Sequence, residues 1–227
     1  MPRDCLPRAG RFILAAMRTL FPSPSLLLLG PTGAGKSPLG DELERVGLAG
    51  RPCAHFDFGR ELRRAEADTG FARRRALAEG ERAEIVRVLC EGALLERDSF
   101  SIALKLLDGF TAERAAGGAA WLVMNGLPRH LEQAEALASR LRVDAVIHLD
   151  CDAATALERI RRDAGGDRTG RADDALDAVR RRLEIYCART APLVAYYTAR
   201  GARHIIIPVG PTTTAAEAAA QVAAALA

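Results

Sequence analysis

The stretch Leu26-Leu27-Leu28-Leu29-Gly30-Pro31-Thr32-Gly33-Ala34-Gly35-Lys36-Ser37 puts a short apolar run directly ahead of the pattern G-x-x-x-x-G-K-[ST]. A buried strand that ends in such a loop and then starts a helix is the setting in which the pattern becomes a phosphate cradle. Gly30, Gly33 and Gly35 let the backbone wrap closely around phosphate oxygens, and the N–H groups of Thr32 and Ala34 and the helix N-terminus can then point inward. Lys36 is expected to reach the β and γ phosphates of ATP or a close relative, and Ser37 to offer its hydroxyl to Mg²⁺. Pro38 has no N–H, so the cradle has one donor fewer for the α-phosphate, although a proline suits the first turn of a helix.

Composition sharpens the reading of Lys36. The chain has 227 residues, and only Lys36 and Lys105 among its 32 basic residues are lysines. Arginine is its general cation, so a lysine in the loop is not incidental. The formal charge of +3 balances 32 basic against 29 acidic residues and makes no case for nucleic-acid binding. Hydrophobic residues make up 49% of the chain, enough for one α/β domain with a proper core. Cys5, Cys53, Cys90, Cys151 and Cys187 are far apart and odd in number, and are expected to be reduced and mostly buried thiols. His55, His130, His148 and His204 are scattered too, so no metal site is expected from them.

Residues 1–24 carry Arg3, Arg8 and Arg11 ahead of a short apolar stretch and read as an extension outside the core, with Met17 an alternative start. With no segment of membrane-spanning length, a cytoplasmic monomer with no membrane partner is expected.

Apolar runs bounded by turn residues alternate with helical stretches, the pattern of a parallel sheet with helices on both faces. The expected strands are Ser25–Leu29, Cys53–Phe58, Trp121–Met124, Ala145–Leu149 and His204–Val209. The long interval between the second and third reads as several helices, starting near Gly59. After the fourth strand come a helix ending near Arg162, a glycine-rich charged loop, and a long helix from near Asp173. The terminal TTTAAEAAAQVAAALA reads as a threonine-capped helix.

Three further segments decide among the many chains with such a loop: HFDFGRELR, LVMNGLPRHLEQAEAL, and GRADD with AVRRRLEIYCARTAPLVAYY. In order and spacing they resemble the nucleoside monophosphate kinases of the adenylate kinase type, from about Leu26 to the C-terminus. The resemblance implies a P-loop kinase core over residues 25–227, a helical acceptor-binding insert over 59–95 and a short lid without zinc over 163–171. It implies Arg63 and Arg129 on the phosphate of the acceptor nucleotide and Gln133 on its base, with Phe58, Leu95 and Gly126 around it. Arg171 and Arg182 would embrace the transferring phosphoryl group, and Arg159 would lie against the donor adenine. The implied reaction is Mg²⁺-dependent transfer from ATP to a nucleoside monophosphate, AMP by default. Such an acceptor is already ionised and needs no general base; arginines that bridge phosphate oxygens are the main requirement.

The sequence departs from that pattern in places. Asn125 stands where the family normally has an Asp that helps hold the hydrated Mg²⁺; an amide can meet a metal-bound water but brings no charge. Asp57-Phe58 replaces small hydroxyl residues, and Asp57 could serve the acceptor pocket or cap the following helix. Asp163 falls where a lid arginine is usual, with Arg162 or Arg168 as substitutes. Two other readings remain open: a kinase of a non-nucleotide small molecule with Asp57 as general base, and a non-catalytic nucleotide-binding protein. Arg60, Arg64, Arg73, Arg74, Arg75 and Lys105 are expected to be solvated surface.

Overall fold

The computed structural model describes residues 24–114, 121–166 and 176–227. β1 (Ser25–Leu29) is buried along its whole length, as its four leucines favour and as Ser25 tolerates by donating its hydroxyl to the Arg142 carbonyl, and lies at the centre of a five-stranded sheet. Beside it run β2 (Cys53–Asp57), β3 (Trp121–Asn125), β4 (Val143–Asp150) and β5 (Arg203–Pro208). The order is β2-β3-β1-β4-β5 and every pairing is parallel. Side chains alternate across a strand, so Leu27 and Leu29 enter one core with Phe56, Met124 and Val146, while Leu26 and Leu28 enter the other with Val123, Ala145 and Ile147. On the second face α1 (Lys36–Val46) inserts Leu39 and Leu43, and α10 (Ala215–Leu226) inserts Ala218 and Val222. Thr214 caps α10 by accepting from the Glu217 N–H at 3.2 Å, as its sequence implies.

Between β2 and β3 lie α2 (Phe58–Ala67), α3 (Thr69–Arg74), α4 (Glu79–Glu91) and α5 (Phe100–Arg114). Leu62, Phe71, Ile85 and Val88 of this stretch join the same apolar cluster as Phe56 and Met124 of the sheet. α3 is an added short element, begun where Asp68 accepts from the Phe71 N–H at 3.0 Å. Past β3 come α6 (Leu131–Leu137), α7 (Ala153–Arg161), α8 (Leu176–Ile185), a π-helical turn over Tyr186–Thr190, and α9 (Leu193–Thr198).

Several sequence expectations change. Phe58 opens α2 instead of closing β2, because the Asp57 carboxylate accepts from the Arg60 N–H at 3.0 Å and starts the helix there. The long helix expected from near Asp173 is broken by the π turn after Ile185, and Asp173 itself lies outside the described residues. Cys90 and Cys187 are exposed; only Cys53, on a sheet strand, is fully buried among the described cysteines. Arg75 is 5% exposed instead of solvated, its guanidinium held by Glu113 at 2.7 and 2.8 Å and stacked over Phe71. Lys105 pairs with Glu81 at 2.6 Å.

Candidate functional site

The carboxyl ends of β1, β2 and β3 open into one cavity. In a parallel sheet this edge, where chain connections depart to opposite sides, leaves a crevice for ligands. Here α1 leaves β1 for one face, and the residues after β3 turn toward the other. Gly30, Thr32, Gly33, Gly35, Lys36 and Ser37 line the cavity on one side. The loop is tightly seated: a β-carbon on Gly30 would come within 2.9 Å of the Leu149 carbonyl, and one on Gly33 within 2.6 Å of the Ala156 carbonyl. Both glycines also have positive φ, 148° and 88°. Gly35, at φ 94°, then launches α1. Lys36 Nζ donates to the carbonyls of Gly30 and Pro31 at 2.7 and 2.6 Å, curling over its own loop.

The opposite wall is cationic. Arg63, Arg129 and Arg182 border the same cavity, as do Phe58, Leu95, Gly126 and Gln133. Arg129 is fixed through its backbone: its N–H donates to Gln133 Oε1 at 2.8 Å, and its carbonyl accepts from the Thr190 hydroxyl at 2.7 Å. Gln133 is 3% exposed and its amide also donates to the Leu95 carbonyl at 2.8 Å, tying the start of α6 to the end of the helical insert. Burial first, and then the charge of Arg182, lower the Arg129 guanidinium to about 10. Arg182 reaches toward the end of α4, where a β-carbon on Gly92 would meet its Nε at 3.5 Å. A Gly59 β-carbon would meet Arg63 Nη1 at 3.4 Å, so Arg63 lies over the first turn of α2.

Arg159, expected at the donor adenine, is 5% exposed and bonded to main chain. Its Nε donates to the Gly33 carbonyl at 3.1 Å and its Nη1 to those of Gly210 and Thr213 at 2.8 and 2.9 Å. It therefore clasps the phosphate loop to the segment after β5. A second hollow lies there, lined by Ala34, Pro38, Arg159, Arg162 and Pro211 to Thr214. Arg168 and Arg171 fall outside the described residues, as does most of the expected lid; of residues 163–171 the structure describes 163–166.

Asp57, Ser37 and Asn125 meet at the floor of the cavity. The Ser37 hydroxyl donates to Asp57 Oδ2 at 2.5 Å, and the Asn125 amide donates to Asp57 Oδ2 at 3.0 Å and to Ser37 Oγ at 3.1 Å. The last residues of β2 and β3, Asp57 and Asn125, are register partners, which brings the two side chains together. Burial works against the Asp57 charge, but the Ser37 hydroxyl, His55 and Arg60 hold the carboxyl below its ordinary value. The Ser37 hydroxyl and the Asp57 carboxylate are hard oxygen donors that suit Mg²⁺, while the Asn125 amide turns its N–H groups to both. Among the described residues no group of three or more His, Cys, Asp or Glu side chains could hold a metal ion.

Sequence reasoning missed Tyr186 and Thr190, which line the cavity from the π turn, and the link between Asp57 and Ser37. A π turn has little local signature. The Asp57 link was open to inspection, since β2 and β3 end at matched positions.

Sheet order, glycine cradle and facing arginines together define a P-loop kinase fold. No protein-family model matches the sequence. Curated relatives do. The chain is 34% identical to the adenylate kinase of Parvibaculum lavamentivorans over 78% of this chain and 80% of that one. It is 32% identical to that of Maricaulis maris over 89% and 98%, and 36% identical to that of Synechococcus sp. WH7803 over 78% and 85%. The chain belongs to the adenylate kinase family. A gluconokinase from Sinorhizobium meliloti 1021 has a similar structure, with a TM-score of 0.53 over 91% of this chain and 92% of that one; at 21% identity this is a likeness of fold. No helix among the described residues is long and apolar enough to cross a membrane.

Proposed function

We propose that this chain transfers the γ-phosphoryl group of ATP to a nucleoside monophosphate, with AMP as the default acceptor and Mg²⁺ required. The observation that carries the reading is Arg129, which faces the phosphate loop across one cavity together with Arg182, the charge of the one pressing on the other. A dianionic phosphate between the two guanidiniums relieves that pressure.

Lys36 leaves the loop carbonyls for the β and γ phosphates, and the backbone of Gly30 to Gly35 with the α1 N-terminus receives the rest of the chain of phosphates. The donor base occupies the hollow beside Arg159 and Pro211 to Thr214. Arg63 and Arg129 bind the acceptor phosphate, while Leu95, Gly126, Phe58 and Gln133 border its base. Arg182, with Arg171, spreads its charge over the transferring group, whose equatorial oxygens carry most of the transition-state charge. Ser37 and Asn125 stand where an ion and its water would be held; when bound, Mg²⁺ neutralises charge on the β and γ oxygens. The segment 59–95 acts as the acceptor-binding insert and 163–171 as a lid that excludes water.

A hydroxyl acceptor would need a base. Asp57 is poorly suited to that task, because Oδ1 caps α2 and Oδ2 accepts from Ser37 and Asn125. A monophosphate acceptor has no such need. A coupled assay with ATP, Mg²⁺ and a panel of monophosphates tests the reading: turnover above the ATPase background is expected, AMP foremost, and silence across the panel rejects it.

A further inference from the structure

We propose that Asp57 supplies the carboxylate of the metal shell in this chain, and that Asn125 is its neutral complement. The assignment rests on the nucleotide reading of the loop and deepens it.

Asp57 carries two separate loads. Oδ1 accepts from the Arg60 N–H at 3.0 Å and caps α2, a task that a serine or asparagine performs as well. Capping therefore accounts for one oxygen and for no charge. Oδ2 is directed to the other side, where the Ser37 hydroxyl donates to it at 2.5 Å and the Asn125 amide at 3.0 Å. Ser37 directly follows Lys36 in the phosphate loop, so Oδ2 stands one hydroxyl away from where the outer phosphates are bound.

Arg60 offsets this charge only in part. Its Nη2 is 4.0 Å from Oδ2 while donating to both carboxylate oxygens of Asp41 at 2.7 and 2.8 Å. A buried carboxylate beside a triphosphate repels it in a low-dielectric site. With a divalent cation between them the same carboxylate becomes an anchor, for the ion itself or for one of its waters. Position 57 is thus favourable for metal-bound nucleotide and unfavourable for bare nucleotide.

Asn125 follows from the same arrangement. Its strand position is registered on Asp57, and its amide donates to both Oδ2 and Ser37 Oγ. A carboxylate at 125 would set two like charges against each other at this distance, and one of them would have to take up a proton. Positions 57 and 125 therefore share one negative charge, carried in this chain on β2.

Mn²⁺ is the probe. Retention of Mn²⁺ by the protein with ATP is read from the free-ion electron paramagnetic resonance signal, and ATP binding is measured separately in EDTA. Asp57→Asn keeps a side chain able to cap α2, and a melting curve checks that it folds. Its Mn²⁺ retention in the ternary complex is expected to fall about 10- to 100-fold, while ATP in EDTA binds as tightly as in the unaltered chain or more so. The double variant Asp57→Asn, Asn125→Asp moves the charge back to β3 and is expected to recover most of the Mn²⁺ retention. Unaltered Mn²⁺ retention in Asp57→Asn, or a double variant no better than it, overturns the assignment. An unaltered chain that binds ATP neither with Mn²⁺ nor in EDTA overturns the nucleotide reading itself, a different and separable result.

Discussion

Arg129 and Arg182 act on each other before any ligand arrives, and the direction of that action can be measured. Because Arg129 must be protonated to hold a phosphate, its lowered value of about 10 sets an upper limit to the pH range of acceptor binding. Between the second ionisation of the AMP phosphate, at about pH 6, and that value the dianion and the cation are both present and binding is flat; as pH rises through the upper value binding is lost, by about tenfold per pH unit once the neutral form dominates. A bound phosphate favours the cation, so the limb belongs to the free protein. Calorimetric titration of AMP across this range tests it, and Arg129→Lys should move the limb to lower pH, since an ammonium starts from a lower value than a guanidinium. Arg129→Gln should weaken AMP by about 10- to 100-fold, the value of one charged hydrogen bond at ~1.5–3 kcal/mol. Arg75 makes a contrasting case, a buried arginine with a structural partner. Its side chain passes through a notch at Gly109 in α5, where an added β-carbon would stand 2.4 Å from Arg75 Cδ. Gly109→Ala improves intrinsic helix propensity, yet it should destabilise the fold by about 1–3 kcal/mol through overpacking. Combining it with Arg75→Ala should recover part of that loss in a urea titration. Nothing in the run Arg73-Arg74-Arg75 distinguishes the third arginine from the others by type; only the path of α3 toward α5 does.

At the scale of elements, the π turn over Tyr186–Thr190 aims three side chains that a regular helix would send elsewhere. The Thr190 hydroxyl reaches the Arg129 carbonyl, Arg189 pairs with Glu96, and the Tyr186 hydroxyl lies 3.1 Å from His148 Nε2. A π turn holds one residue beyond the regular repeat and is common at functional sites. Deleting Ala188 should restore a regular helix and rotate one flank against the other by roughly 100°. Far-ultraviolet circular dichroism should then stay nearly unchanged while turnover with AMP falls steeply; retained turnover would mean that the turn positions nothing. This is also where the sequence was least legible. Its apolar period runs on through EIYCARTAPLV, so one continuous helix is the natural reading, and the extra residue shows itself only through the partners of Tyr186 and Thr190. The strands were easier, because parallel strands buried on both faces must be nearly pure apolar runs bounded by turns. β2 was overextended by a residue because Phe58 continues its apolar run, while the Asp57 cap that ends it is a polar contact that hydrophobic patterning does not register.

Across the whole molecule, the sheet sets two half-sites on either side of β1 and leaves the elements between them to join the halves. The phosphate loop, Arg159 and the segment after β5 make one side, and the insert with Arg129 and Gln133 makes the other. The loop residues could be named from their own motif, and Arg129, Gln133 and Arg159 from the resemblance of their segments to the adenylate kinase family. What spacing could not give was which polar groups spend their bonds on one another, as Gln133 does with Leu95 and Arg129. A ligand that fills one half-site stabilises the native state by mass action alone, by about 2.7 kcal/mol at 100 times its dissociation constant. For a chain of this size that corresponds to a rise of roughly 5–10 °C in Tm, from about 2–4 °C per kcal/mol. A bisubstrate analogue, an adenosine at each end of a bridging polyphosphate, engages both halves and loses translational and rotational freedom once instead of twice. At equal concentration it should therefore raise Tm clearly above the shift given by ATP or AMP separately. Arg129→Gln should remove most of that excess and leave the shift from ATP alone nearly intact, because the proposed reading gives Arg129 to the acceptor half only. If the analogue gave no more than ATP does, the two halves would not form one site, and the facing arginines would need another anion.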